Sequence, residues 1–75
     1  MKIEILGMGC SKCKILYENT MSALKNAGKD AEVVKIEDLE KITEYAVMTT
    51  PALAIDGEVK SAGKVLSPDE IQKLF

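Results

Sequence analysis

Both cysteines of the chain fall in one stretch, Gly7-Met8-Gly9-Cys10-Ser11-Lys12-Cys13-Lys14, and that stretch stands between two segments of different periodicity. Lys2 to Leu6 alternates, with Ile3 and Ile5 on one face and Lys2, Glu4 and Leu6 on the other. This predicts a strand whose second face is at least partly covered. From Ser11 to Ala27, Leu16, Tyr17, Thr20, Met21, Leu24 and Ala27 recur at three- and four-residue spacing, the pattern of an amphipathic helix. Gly7 and Gly9 are read as the points where the backbone turns sharply between them. The cysteine pair is therefore expected where a strand hands over to a helix. The first N–H groups of a helix lack internal partners, and its peptide dipoles sum to about half a positive charge there. A thiolate is favoured at such a place.

The rest of the chain alternates strands and helices. Gly28 is expected to close the first helix. Ala31 to Ile36, rich in β-branched residues, reads as a second strand. Asp38 is placed to cap a short helix whose Leu39, Ile42 and Ala46 face one way and Glu40, Lys41 and Glu44 the other. Residues 47–50 read as a loop and Pro51 to Asp56 as a third strand. Asp56-Gly57 is a hairpin turn signal leading to a fourth strand, Glu58 to Ala62. Ser67, Pro68 and Glu70 form a capping box with proline at the first helical position, and Ile71, Leu74 and Phe75 supply the last helix's apolar face. The expectation is one α/β domain over residues 1–75, in the order β-α-β-α-β-β-α. Its sheet should be mixed and four-stranded with helices on both faces, the first two strands parallel through a right-handed crossover.

Composition narrows the chemistry. A net charge of −2 without a basic tail argues against nucleic acid as a partner, and no apolar run approaches the ~20 residues that span a bilayer. No secretory signal is read at the start of the chain, so a reducing cytosol is the expected compartment. The chain has two cysteines and no histidine, too few ligands for a mononuclear structural zinc site from one chain. A bridge across so small a loop would stabilise by only about 2 kcal/mol. Redox chemistry and two-coordinate soft-metal binding remain.

The Cys-x-x-Cys at the head of the first helix, together with Thr49-Thr50-Pro51-Ala52-Leu53 followed by a hairpin and a final helix, resembles the thioredoxin/glutaredoxin superfamily. The likeness spans nearly the whole chain and is greatest to the small thioredoxin-like redox-active disulfide proteins of archaea and bacteria. It implies a thioredoxin-like fold and a thiol–disulfide oxidoreductase without a cofactor, in which Cys10 and Cys13 form the redox-active disulfide. It also implies a cis peptide bond before Pro51, with Thr50 and Pro51 binding the substrate backbone. The implied partners are disulfide-containing protein substrates and a reductase or thiol electron donor. The family's buried acid, six residues before the first cysteine, falls on Glu4. Two departures from the thioredoxin motif are Gly9 in place of a tryptophan and Ser11-Lys12 between the cysteines.

Within this frame Cys10, one step outside the helix and near Lys12 and Lys14, is the nucleophile, its pKa lowered from about 8.5 toward neutrality. Cys13, a turn further and more buried, resolves the mixed disulfide; residues i and i+3 of a helix are neighbours. For Glu4 the residue-level reading is a strand-end carboxylate, solvated or paired with Lys2, and the resemblance offers a proton acceptor for Cys13. Met8 is read as lining the substrate surface or covering the core edge, and Tyr17 and Met21 as core. The Gly7–Cys13 stretch also resembles the loop of heavy-metal-associated domains and copper chaperones, which implies Cu(I) binding by the same two thiolates. Those domains follow β-α-β-β-α-β and end in a strand. Here a charged helical segment, Glu37 to Ala46, follows the second strand and a capped helix ends the chain, so the element order favours the thioredoxin-like reading.

Overall fold

β1 (Lys2–Leu6) and β2 (Glu32–Ile36) pair in parallel, from Lys2 opposite Glu32 to Leu6 opposite Ile36, in a computed structural model that describes residues 1–7, 11–47 and 49–75. They are joined by α1 (Ser11–Ala27). Gly28 ends that helix at φ 64°. Its N–H donates to the Lys25 carbonyl and that of Lys29 to the Leu24 carbonyl, closing a Schellman motif. β3 (Ala52–Ile55) runs antiparallel to β1, and β4 (Glu58–Ala62) antiparallel to β3. Asp56 and Gly57 link the last two with φ 50° and 84°, the left-handed pair whose twist matches a two-residue hairpin. α2 (Leu39–Glu44) lies between β2 and β3, and α3 (Pro68–Gln72) follows β4. The strand order across the sheet is β2-β1-β3-β4. The element order is the expected one, and the described chain ends on α3 rather than on a strand.

Both faces of the sheet are packed. On one, Ile3, Ile5, Leu53 and Ile55 meet Leu16, Ala23 and Leu24 of α1 and Ile71 of α3. On the other, Leu6, Ala52 and Ala54 meet Ile36 and Ile42, the latter from α2, with Tyr45, Val47 and Val59 half-buried around them. β1 is therefore buried from Ile3 through Leu6, and whatever side chain stands at residue 4 must lie inside.

The buried arc of α1 differs from the predicted stripe. Cys13, Leu16, Thr20, Ala23 and Leu24 face the sheet, while Met21 is 46% exposed, against its reading as core. At about 100° per residue, Met21 lies beyond Tyr17, which itself sits half-buried at the edge of the arc. The Lys35 ammonium lies 4.6 Å from the Tyr17 ring centroid, covering that edge. Thr20, buried in the apolar face, donates its hydroxyl to the Leu16 carbonyl at 2.8 Å.

α2 also departs from its predicted face. Asp38 caps it as expected, its side chain accepting from the Glu40 N–H, but of Leu39, Ile42 and Ala46 only Ile42 is buried. Leu39 is 63% exposed. The helix is less than two turns long, and the chain leaves it at Tyr45 and turns through Ala46 at φ 57°, so one residue alone lies over the sheet. At α3 the predicted capping box is complete: the Glu70 N–H donates to Ser67 Oγ and the Ser67 N–H to Glu70 Oε1, both at 3.2 Å, with Pro68 in the first turn.

Candidate active site

The β1–β3 register builds the site. Leu6 stands opposite Ala52, so the residues just beyond them, Gly7 and Pro51, meet at one end of the sheet. Gly7 extends the β1–β2 ladder by donating to the Ile36 carbonyl at 3.0 Å. It is not among the residues with positive φ, so its need for glycine is not the sharp turn read from the sequence. The need is space: a Cβ there would lie 2.2 Å from Cys13 Sγ and 3.8 Å from Pro51 Cα. The start of α1 thus rests directly on the end of β1. Cys13, 7% exposed, has its sulfur against Gly7, with Pro51 on the same glycine. Cys10, Met8 and Gly9 lie outside the described residues.

The Thr50–Pro51 peptide bond is cis, as the resemblance implied. Pro51 is buried, while Thr49 and Thr50 are exposed beside it. A residue the sequence reading passed over, Gly63, holds this corner from the other side. Its N–H donates to the Pro51 carbonyl at 2.9 Å. Its φ is 75°, and a Cβ on it would meet Thr49 Oγ1 at 2.7 Å. A glycine just past the end of a predicted strand was the available signal. The sequence leaves unstated that the end of β4 folds back onto the proline.

The electrostatics at the head of α1 favour an anion. No acidic residue occupies its first turn, and Lys12 and Lys14 are exposed there. Two lysines at a helix start oppose the helix dipole slightly, which an anionic sulfur nearby would offset.

Glu4 corrects the residue-level reading. It is neither solvated nor paired with Lys2: it is 7% exposed and accepts a hydrogen bond from the Tyr45 hydroxyl. That bond, with some burial and the carboxylate's charge, holds the Tyr45 phenol above its ordinary pKa of 10.0. Lys2 remains exposed, its backbone N–H donating to Asp56 Oδ1 at 2.8 Å. Strand alternation puts Glu4 on the face of β1 that carries Leu6, opposite the face that carries Ile3 and Ile5. The carboxylate lines a cavity of about 420 Å³ with Lys41, Glu44, Tyr45 and Gly57, toward the hairpin end of the sheet. Residues 4 and 7 are about 10 Å apart along a strand rising ~3.3 Å per residue. The fold brings Cys13, Gly7 and Pro51 together, and the Glu4 carboxylate accepts from the Tyr45 hydroxyl. Among the described residues no three His, Cys, Asp or Glu side chains gather as a metal ligand set, and no helix is long and apolar enough to cross a membrane.

Comparison with known proteins gives the family. The chain matches a family model described as a thioredoxin domain over residues 1–75. It is 45% identical over 75 residues to a thioredoxin of Methanothermobacter thermautotrophicus, covering 100% of this chain and 97% of that one. It is 42% identical over 71 residues to a thioredoxin of Methanocaldococcus jannaschii, covering 95% of this chain and 81% of that one. With the β-α-β-α-β-β-α order and the cis-proline corner beside a buried cysteine, these matches show that the chain belongs to the thioredoxin family of thiol–disulfide oxidoreductases.

Proposed function

We propose that this oxidoreductase reduces disulfides of protein substrates through Cys10 and Cys13, with Thr50 and Pro51 receiving the substrate backbone. The observation that supports this most is the packing of the Cys13 sulfur and Pro51 on the same glycine, Gly7. It sets the second thiol of the Cys-x-x-Cys pair beside the surface where a substrate chain would lie. The Cys10 thiolate, favoured by the start of α1 and by Lys12 and Lys14, attacks one sulfur of the substrate disulfide. That S–S bond breaks, a Cys10–substrate bond forms, and the other substrate sulfur leaves as a thiolate. Cys13, deprotonated, then attacks Cys10 Sγ and expels the second substrate thiolate. The protein dithiol has lost two electrons as the Cys10–Cys13 disulfide, and the substrate has gained them. A reductase or thiol donor returns the pair to the dithiol, in the reducing cytosol that suits such transient disulfides.

Two variants test this. Cys13→Ser removes the resolving thiol and is expected to accumulate mixed disulfides through Cys10 when mixed with a disulfide-bonded protein; Cys10→Ser is expected to trap none. In the wild type, Cys10 should alkylate faster than Cys13 near pH 7. Equal rates, or trapping through Cys13 instead, would overturn the assigned roles. Cu(I) titration against a competing chelator is expected to show no binding of chaperone strength.

A further inference from the structure

Tyr45 and Glu4 form a contact that the electron-transfer steps above do not use. Tyr45 is the C-cap of α2, and its hydroxyl reaches a buried carboxylate on β1, a central strand of the sheet. Residue 45 is also where the chain turns away from the helix: Ala46 takes φ 57°, and Val47 packs into the cluster of Leu6, Ile36, Ile42, Ala52 and Ala54. A few residues on, Thr49 rests against Gly63, and the Pro51 carbonyl accepts the Gly63 N–H. The segment that ends at the cis-proline is therefore held at both ends, by Tyr45 on β1 and by Gly63 at the end of β4. α2 cannot anchor that segment alone, since it has one buried residue, Ile42.

We propose that Tyr45 is a positioning residue for substrate binding. Its hydrogen bond to Glu4 ties the end of α2 to β1 and so holds Thr49, Thr50 and Pro51 where they meet the substrate backbone. Glu4 serves here as a hydrogen-bond acceptor on the α2 face. This rests on the disulfide-reductase reading given above.

The test uses the intact protein, dithiothreitol as electron donor, and two oxidants. Insulin disulfides require a docked backbone, whereas the small aromatic disulfide DTNB does not. Tyr45→Phe is expected to raise KM for insulin about three- to tenfold while leaving kcat, the DTNB rate and the pH profile of Cys10 alkylation within twofold of wild type. Glu4→Gln still accepts from Tyr45 and is expected to stay within twofold throughout. Glu4→Leu should match Tyr45→Phe, and the double variant should be no worse than either. If Glu4→Leu does not fold, the Phe and Gln variants decide the matter. An unchanged insulin KM in Tyr45→Phe overturns the proposal. So does a Glu4→Gln variant that slows release of insulin thiols and shifts its pH dependence, because that would make the carboxylate an acid–base group. A wild-type protein that reduces neither oxidant overturns the disulfide-reductase reading, and the positioning role with it.

Discussion

A methyl group at residue 7 has nowhere to go. Its carbon would sit 2.2 Å from Cys13 Sγ, so Gly7→Ala must push the start of α1 off the end of β1. Overpacking of this kind costs about 1–3 kcal/mol, and in a chain this size each kcal/mol lowers Tm by roughly 4–8 °C. A circular-dichroism melt should show that loss, accompanied by faster alkylation of Cys13 as its sulfur is displaced. At Tyr45 the prediction concerns pH. The phenol donates to the Glu4 carboxylate and is held above 10.0. Its folded-state pKa is thus raised over the unfolded value, and the stability it contributes is present below about pH 10 and lost as pH rises through the folded value. The chain has two tyrosines and no tryptophan. In a Tyr17→Phe background the phenolate absorbance therefore reports Tyr45 alone, and its midpoint should lie above 10 and fall toward 10 when Glu4 becomes Leu. Alternation along Lys2–Leu6 is enough to put Glu4 on the second face of its strand. It cannot say what covers that face, because the covering group is a hydroxyl 41 residues away in sequence.

Elements were legible where their ends carry local chemistry. Ser67, Pro68 and Glu70 specify the start of α3 from side chains within one turn of one another, and the capping box forms as read. Gly28 and Asp56-Gly57 behave the same way, each supplying the left-handed backbone its turn requires. Buried faces were less legible. Met21 and Leu39 fit the helical period yet stand in solvent, because period alone does not say how wide a strip the sheet covers or how soon a helix ends. The capping box gives a prediction for α3. Hydrogen bonds from the Ser67 backbone and side chain hold the Glu70 carboxyl below its ordinary range. A depressed folded pKa means stability that is present above the unfolded value and lost as pH falls through the folded one. Ser67→Ala should cost about 0.5–2 kcal/mol near neutrality. Urea midpoints measured from pH 7 down to pH 3 should show the gap to the wild type narrow as Glu70 takes up its proton without closing, because the bond from the Glu70 N–H to Ser67 Oγ does not depend on that charge.

For the whole molecule, stability rests on the two-faced sheet. A folded chain of this size is stable by roughly 4–11 kcal/mol, and removing most of a buried leucine costs about 2–5 kcal/mol. Leu53, in the core between β3 and the α1–α3 layer, has no exposed surface. Leu53→Ala should therefore leave the protein near the edge of unfolding at 37 °C, whereas Leu39→Ala should shift stability by no more than about 0.5 kcal/mol. Chemical denaturation of the two variants side by side checks this, and equal losses would mean that the layer over Leu53 is not the core. The sequence by itself determined the element order, the turns and caps, and the place of Cys13 in the first turn of α1. Each follows from backbone preference or periodicity among near neighbours. Tertiary structure alone decided that Gly7 must lack a side chain, that Gly63 grips the Pro51 corner, and that Glu4 is buried under Tyr45. Those outcomes depend on which distant strands and helices stack on one another, and on the sub-ångström space left between them.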